Sequence, residues 1–487
     1  MPSQSLPASP NPSPMPAVLE PLVIPGMTQN VPGYDGGIPE WLFASGLTAQ
    51  VNNTWAAQPG DMITVGEQID PSNIRAMAII QLEPGDELQR HFFFSLPHKY
   101  LPDGEIKLGY VLHRAGGLPG ELSLPLNVLI KTDLPGGPDI GHLPEEGHPA
   151  LSFSLSALQI YPPEAARGVI ATIEPYPNMH AQDVIHFQWG GLTILQPVEG
   201  VGQQTHISIS PGQIVEAGDS YGLLVNFYPV DLVGNPSVRS SRYLEVVVDL
   251  AGAKPDGPAI ITDDPVGYID PDRLNGDSLQ LELYTAAQVG KPGDLYDISF
   301  RAYPPLGGVV TYRGFEEIVR AGVPVNHPVP YSVVRAAAGG TIETSFVLRT
   351  RTEPSDLVSQ KTFARVRGSV VRLAAAFFER YPGHVVAPIP DSAIVSIPWY
   401  PWCKPTDSIT VILRYVKSLN ETIVFSERRV VGASWTDGAP IRRLIYRKDL
   451  ERFEGFSPEL YYVYESALVR ARSLDLNESV RQRVQIG

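Results

Sequence analysis

The densest aromatic cluster in the chain is Trp399, Tyr400 and Trp402, which lies directly before Cys403. Trp and Tyr bury large areas at low entropic cost and stack on sugar faces, so they dominate binding anchors. The cluster predicts a ligand contact, with core and turn packing as the alternative. Cys403 is the single cysteine, which excludes a disulfide framework, and nothing in the sequence supplies the His partner and lowered pKa that a nucleophilic thiol needs.

Two polar stretches have residue types that bind metals. His142, Glu145, Glu146 and His148 lie within seven residues, but Pro144 and Gly147 prevent a helix that would align the two His, which favours a solvated linker. The acidic stretch 263–277 suggests calcium at a domain junction, yet its spacing does not match an EF-hand. Turn chemistry is the preferred interpretation, and we predict no metal site.

Known catalytic signatures are absent from the sequence: there is no Gly-x-Ser-x-Gly elbow, phosphate-binding Gly-rich loop or His-Glu-x-x-His. We predict that His91, His206 and His327 occupy corresponding repeat positions, which favours a shared framework role. The sequence therefore predicts no catalytic residue, no cofactor and a protein that is not an enzyme. A hydrolase whose site is built from inter-domain loops stays open as an alternative.

The composition limits the partners. The 487 residues carry a net charge of −15, which removes the electrostatic attraction that non-specific nucleic-acid binding needs. No apolar run approaches a membrane span, and the N-terminus shows no Sec-type signal. We expect a protein or glycan ligand, no nucleic acid and no membrane span. Secretion or surface display by a non-Sec route is favoured, and a cytoplasmic location and the oligomeric state stay open.

The elements that must position these residues are short strands. Apolar and polar residues alternate in runs such as 279–283, and 48 Pro and 44 Gly punctuate the chain with turns. Compared with itself, the chain shows four copies of one pattern, beginning near residues 91, 206, 327 and 442. An upstream element ending in Asp also recurs, at Asp61, Asp183, Asp294 and Asp407. We expect each Asp to stabilise its turn by accepting N–H groups two residues further on.

Each copy contains about seven predicted strands in roughly 100–120 residues, which is typical of an immunoglobulin-like β-sandwich. The predicted fold is all-β: a tandem array of four such sandwiches behind a disordered, Pro/Ser-rich tail. The predicted boundaries are residues 1–40 for the tail, 41–134, 150–251, 258–368 and 369–487 for the sandwiches, and 135–149 for a linker.

The Asp-containing turn, the Trp189-Gly190-Gly191 turn and the segment from Val230 to Ser237 together resemble the immunoglobulin-like repeats of large uncharacterised bacterial proteins. The resemblance is sharpest over residues 150–370. It implies tandem sandwich repeats and an adhesin-like role. Function follows from it only loosely, because sandwich repeats carry unrelated tasks.

These observations lead to three functional hypotheses. The first is a non-enzymatic binding or adhesion protein, an elongated rod of sandwiches that recognises a protein or glycan. The second is a structural component of a secreted or surface-attached assembly. The third is the hydrolase described above.

Overall fold

The computed structural model describes residues 18–43, 46–70, 73–117, 119–139, 147–252, 254–262, 264, 267–305, 309–351, 356–368, 373–398, 403–418, 421–432, 439–465 and 476–487. Its strands group into four two-sheet sandwiches in chain order, so the predicted all-β tandem array is confirmed. The predicted disordered tail is wrong for residues 18–40, because Gly36–Pro39 forms a strand of sandwich 1 and Leu19, Leu22 and Ile24 are buried in its core. The other boundaries given above for the domains stay a prediction.

Sandwiches 1 and 2 each place a larger sheet against a smaller one. In sandwich 1 the sheet β1-β8-β6-β3-β4, with β7 beside β6, faces the pair β2-β5; the strands are β1 (Gly36–Pro39), β2 (Leu47–Asn52), β3 (Met62–Asp70), β4 (Asn73–Gln81), β5 (His91–Leu96), β6 (Gly104–His113), β7 (Glu121–Leu122) and β8 (Leu126–Lys131). In sandwich 2 the sheet β10-β16-β15-β12-β13 faces β14-β11-β9; the strands are β9 (Phe153–Leu155), β10 (Gln159–Ile160), β11 (Val169–Ile173), β12 (Val184–Trp189), β13 (Leu192–Pro197), β14 (Thr205–Ile209), β15 (Ser220–Val230) and β16 (Leu244–Val248).

Sandwiches 3 and 4 repeat the plan. In sandwich 3 the sheet β20-β19-β22-β23, with β24 beside β22, faces β17-β18-β21; the strands are β17 (Ala259–Ile261), β18 (Leu279–Leu283), β19 (Leu295–Tyr303), β20 (Val310–Glu317), β21 (Val325–Val329), β22 (Thr341–Arg349), β23 (Leu357–Val358) and β24 (Thr362–Arg365). In sandwich 4 the sheet β29-β28-β31-β32, with β33 beside β31, faces β25-β27-β30, and β26 pairs with β34; the strands are β25 (Phe377–Phe378), β26 (Val385–Val386), β27 (Ser392–Ile397), β28 (Ser408–Ser418), β29 (Glu421–Val430), β30 (Ile441–Tyr446), β31 (Glu459–Glu465), β32 (Leu476–Glu478), β33 (Gln482–Arg483) and β34 (Gln485–Ile486).

Helices are short and connect strands. The α-helices are α1 (Pro162–Arg167), α2 (Pro211–Ala217), α3 (Pro271–Leu274), α4 (Tyr331–Ala336) and α5 (Arg447–Leu450), and the 3-10 helices are Glu40–Phe43, Asp86–Leu88, His98–Tyr100 and Glu451–Phe453. The start of α2 shows why such a helix forms. Ser210 accepts the backbone N–H of Gln213 at its N-cap, and a proline follows at the first helical position, where no N–H is needed.

A buried aspartate immediately precedes an interior strand of the larger sheet in every sandwich. Asp61, Asp183, Asp294 and Asp407 are at most 1% exposed. Each carboxylate accepts the N–H of the residue three positions earlier, at 2.8–3.1 Å, and each backbone carbonyl accepts an N–H from the neighbouring edge of the same sheet. The structural role predicted for the repeated aspartate is right. The predicted direction of the hydrogen bond along the chain was wrong: the carboxylate accepts an N–H from the turn before it, not from residues further on.

A buried serine binds the neighbouring strand of the same sheet in each of the four sandwiches. Ser123, Ser241, Ser359 and Ser479 each accept, at 2.9–3.0 Å on their hydroxyl oxygen, the N–H of an aromatic residue of β6, β15, β22 or β31. The serine N–H in turn donates to the carbonyl of that aromatic residue. The serine hydroxyl therefore takes the place of a backbone acceptor, so that the buried N–H of the aromatic residue is not left unpaired.

The three histidines do not occupy corresponding positions, so that prediction was wrong. Counted back from the N-cap of the following helix, His91 lies six residues before Pro97, His206 four before Ser210, and His327 three before Pro330. A one-residue step turns a strand side chain to the opposite face. The His206 side chain is accordingly 51% exposed, whereas that of His327 is 7% exposed.

The chain doubles back, so the predicted elongated rod was wrong. Ile412, Tyr461 and Val463 of sandwich 4 belong to the same buried cluster as the core of sandwich 1. Their neighbours along β28 and β31, such as Val411 and Tyr462, pack into the core of sandwich 4 itself. These strands are therefore apolar on both faces, and the outer face is removed from water by the β2-β5 sheet.

The serine support can be tested in sandwich 2. We expect Ser241→Ala to lower the free energy of unfolding by about 1–3 kcal/mol, because the buried N–H of Phe227 loses its acceptor. Ser154→Ala, on an exposed position of β9, is the control and should change it by less than about 0.5 kcal/mol. Urea denaturation of both variants makes the comparison. Equal stability of the two would show that the hydroxyl has no structural role.

Candidate functional site

The predicted contact residues Trp399, Tyr400 and Trp402 lie outside the described residues, and their role stays a prediction. The structure describes both flanks: Ile397 ends β27 with its side chain buried, and Cys403 is 8% exposed. Burial, and next the charge of Asp407, raise the pKa of the Cys403 thiol to about 11, although Arg443 opposes the shift. This environment disfavours the thiolate that a nucleophile needs.

The two polar stretches are bound into the fold where they are described. His142, Glu145 and Glu146 lie outside the described residues, but His148 is buried, with Nε2 3.3 Å from the carbonyl of Gly137, so a fully solvated linker was the wrong interpretation. In the acidic stretch, Asp270 accepts the N–H of Asp272 at the start of α3 and Asp264 pairs with Arg367 at 2.9 Å. The Asp270 contact is the turn chemistry preferred above, whereas the ion pair of Asp264 was not predicted.

Polar side chains concentrate instead at the joints between sandwiches. At the joint of sandwiches 1 and 2, the loop after β15 places Asp231 and Asn235 beside Lys131, the last residue of β8, and Val233 beside Gly37 of β1. The buried carboxylate of Asp231 lies 3.0 Å from Nζ of Lys131. The Asn235 amide donates to the carbonyl of Lys131 at 2.8 Å and accepts the N–H of Glu40 at 2.8 Å. The segment that carried part of the family resemblance therefore forms a joint.

The joint of sandwiches 2 and 3 uses the other part of that resemblance. A side chain at Gly190 would meet the Phe363 ring at 3.0 Å, and one at Gly191 would overlap the Tyr303 hydroxyl and the Glu343 carboxylate. Only glycine allows this close approach. Burial, and next the charge of Glu343, raise the pKa of Tyr303, whose hydroxyl donates to that carboxylate at 3.1 Å.

Backbone and ionic contacts continue this second joint. The N–H of Lys361 donates to the Asp219 carbonyl at 2.9 Å, and the Ser220 hydroxyl donates to the Lys361 carbonyl at 2.8 Å. Nζ of Lys361 lies 3.2 Å from Glu343, and Lys254 pairs with Asp219 at 2.5 Å. Ser220 thus has a carbonyl partner here, not the imidazole or carboxylate that would activate it as the nucleophile of a hydrolase.

Arg481 joins sandwich 4 to sandwich 1. Its guanidinium donates to the carbonyl of Gly46 at 2.8 Å and to the hydroxyl of Thr48, and it lies 3.3 Å from Glu459. It also covers the ring of Tyr461, 4.7 Å from the ring centroid. With only 3% of its side chain exposed, this arginine is a fixed part of the contact.

Sequence reasoning missed these joint residues. Asp231, Asn235 and the two glycines belong to motifs that the sequence analysis identified, but their partners lie between about 100 and about 195 residues away along the chain. Arg481 lies in a stretch where basic and acidic residues interleave, a pattern that is typical of a solvated surface or a partner interface. One available signal was the continuous apolar run Leu460–Val463, since a strand with one wet face alternates and a strand covered on both faces does not.

We expect Arg481→Ala to destabilise the contact of sandwiches 1 and 4 by about 3 kcal/mol, because it removes a buried ion and its hydrogen bonds. The matched control is Arg483→Ala, two residues on at an exposed position. Small-angle X-ray scattering in moderate urea should show an increased radius of gyration for the first variant only. Indistinguishable scattering from the two variants would rule out this role for Arg481.

We expect the Cys403 thiol to react slowly. With a pKa of about 11, about one thiol in a thousand is ionised at pH 8, against about a quarter for an unperturbed cysteine. Iodoacetamide should therefore modify the native protein about 200-fold more slowly than the urea-unfolded chain, as followed by intact mass. Equal rates would contradict the buried, protonated thiol and would reopen it as a nucleophile.

Within the described residues, no group of three or more His, Cys, Asp or Glu is placed to hold a metal ion. The helices in this part of the chain are too short or too polar for any of them to span a membrane.

Neither a protein-family model nor a curated protein matches the sequence. Among solved structures, similarity is found to a 1.5-MDa bacterial ice-binding adhesin (11% identity, TM-score 0.17, covering 69% of this chain and 96% of that chain). A tetra-tandem repeat from the extending region of a large adhesion protein is also similar (14%, 0.17, 92% and 98%), as are the chicken CNTN1 FN1-FN3 domains (9%, 0.15, 69% and 98%). TM-scores this low carry no argument about function.

Proposed function

We propose that this protein is a non-enzymatic binding protein of the adhesion type, in which four immunoglobulin-like sandwiches form a fixed scaffold that presents loops to a protein or glycan. Under this proposal it is bacterial, acts at the cell surface or after secretion, and each sandwich folds as its own domain.

The observation that carries the proposal is where the buried charged side chains lie: they form ion pairs at the joints between sandwiches. In an active site, ionisable side chains with perturbed pKa values face a cleft where a substrate can reach them. Here the carboxylates of Asp231, Asp219 and Glu343 pair with lysines at joints between sandwiches. Taking these ions out of water costs free energy, which their partners offset only when the geometry is held. This supports a scaffold whose joints are rigid.

Rigid joints favour binding. When loops are held at constant separations, a partner that touches two of them loses less entropy on the second contact. The Trp399, Tyr400 and Trp402 segment follows β27 of sandwich 4, and we propose it as one such contact. Large aromatic side chains in a loop on a fixed scaffold are the usual anchors of protein and glycan interfaces.

The test uses the intact protein on a glycan array and in pull-downs from surface extracts. We expect Trp402→Ala to weaken binding at least about tenfold, because truncating an aromatic anchor removes most of its contact area. Tyr446→Ala, at a residue that is 50% exposed in the same sandwich, is the control and should bind as the wild type does. Absence of any ligand, or equal loss in both variants, would count against the proposal.

A second candidate function, a structural component of a larger assembly, is favoured by two sheet edges. Strands β13 and β20 lie at the ends of their sheets and carry the exposed apolar residues Leu195 and Phe315. Such an edge can pair with a strand of another chain. Light scattering that shows a strict monomer at all concentrations would exclude self-assembly through these edges.

A further inference from the structure

A groove of about 240 Å³ opens along the joint of sandwiches 2 and 3. One wall is the start of β15, with Ser220 and Tyr221; the other is the start of β24, with Gln360 and Phe363, and the segment at Asp256 closes one end. The Gln360 N–H donates to the Pro255 carbonyl at 2.8 Å, and the Ser220–Lys361 bond described above ties the two walls together. The groove is therefore preformed by the joint.

Gln360 lines this groove with an unused donor. The residue is 3% exposed, and none of the described groups of the protein accepts a hydrogen bond from its amide nitrogen Nε2. A buried amide left without a partner costs about 1–3 kcal/mol, so an unpaired donor in a groove wall calls for an explanation. A ligand oxygen that accepts from Nε2 would supply one.

The residues at the rim select the kind of ligand. Tyr221 lies where the pairing of β15 with β16 shifts register, and it is 60% exposed, so its ring is available for stacking. Asp256 is an exposed carboxylate, which accepts hydroxyl protons and repels anions. Lys361, a cation that lines the groove, is paired with Glu343. Together these groups favour a neutral, hydroxylated ring.

We propose that this groove binds one pyranose unit of a glycan, with Tyr221 stacking on the sugar face, Asp256 accepting its hydroxyl protons and Gln360 Nε2 donating to a sugar oxygen. The assignment rests on the proposed function and narrows its ligand to a neutral carbohydrate. The volume corresponds to about eight water molecules, which suits a single ring and not a buried oligosaccharide.

The experiment is saturation-transfer difference NMR and calorimetry with glucose, galactose, mannose and N-acetylglucosamine. We expect one of them to bind the wild type with a dissociation constant of about 1 mM, as suits a shallow site. Tyr221→Ala and Asp256→Asn should each weaken binding about tenfold. Gln360→Met should also weaken it while leaving the melting temperature unchanged or raised, because the lost donor has no protein partner. Tyr446→Ala serves as the control.

The outcomes separate the two proposals. If a sugar binds the wild type and all groove variants equally well, the groove is not its site, and the broader binding function stands. If no sugar in the panel binds the wild type, the groove assignment is overturned, while a protein partner found by pull-down would still support the proposed function. A Gln360→Met variant with a lowered melting temperature and unchanged sugar binding would assign that residue to the fold alone.

Discussion

A carboxylate that is buried directly before an interior strand of the larger sheet is the constraint on which each sandwich depends. At Asp183 it accepts the N–H of His180 and the hydroxyl of Tyr176, and the carbonyl of the same residue receives the N–H of Val198. One residue thus connects a turn, a core aromatic and the edge strand. Burying the carboxylate is costly, and both of these donors bond Oδ2; Oδ1 has no partner among the described groups, and burial raises the pKa of this carboxyl. In the other three copies, different neighbours donate to the corresponding carboxylate.

Other loops, which do not contain the buried aspartates, join one sandwich to the next. The Trp189-Gly190-Gly191 turn approaches sandwich 3 so closely that a methyl group would collide with Tyr303. The loop around Asp231 enters sandwich 1 at the opposite end of sandwich 2. Because each joint buries hydrogen-bonding groups that must find partners, a change of angle would leave several of them unpaired. The joints therefore favour one relative orientation.

Comparison of the chain with itself identified the four repeats but did not align them to the single residue. The four aspartates were recognised because each follows a turn and precedes an alternating strand. The four serines near residues 123, 241, 359 and 479 recur as regularly, yet serine is common in turns, and its support of a neighbouring strand appears only when the strands are paired. The prediction for the histidines was wrong because a repeat spacing of more than a hundred residues does not fix the alignment to a single residue. A shift of one residue moves a strand side chain from the inner to the outer face.

The alternation of apolar and polar residues along each strand was enough to predict which side chains enter the core of a sandwich. Successive side chains point to opposite faces, and burying the apolar ones away from water is favourable. The alternation also specified the number of sandwiches and the turn at each buried aspartate. The path of the chain between sandwiches was settled only in three dimensions. Phe93 and Tyr461 are buried because one sheet covers another across the molecule, and the free energy of that contact depends on two surfaces about 370 positions apart.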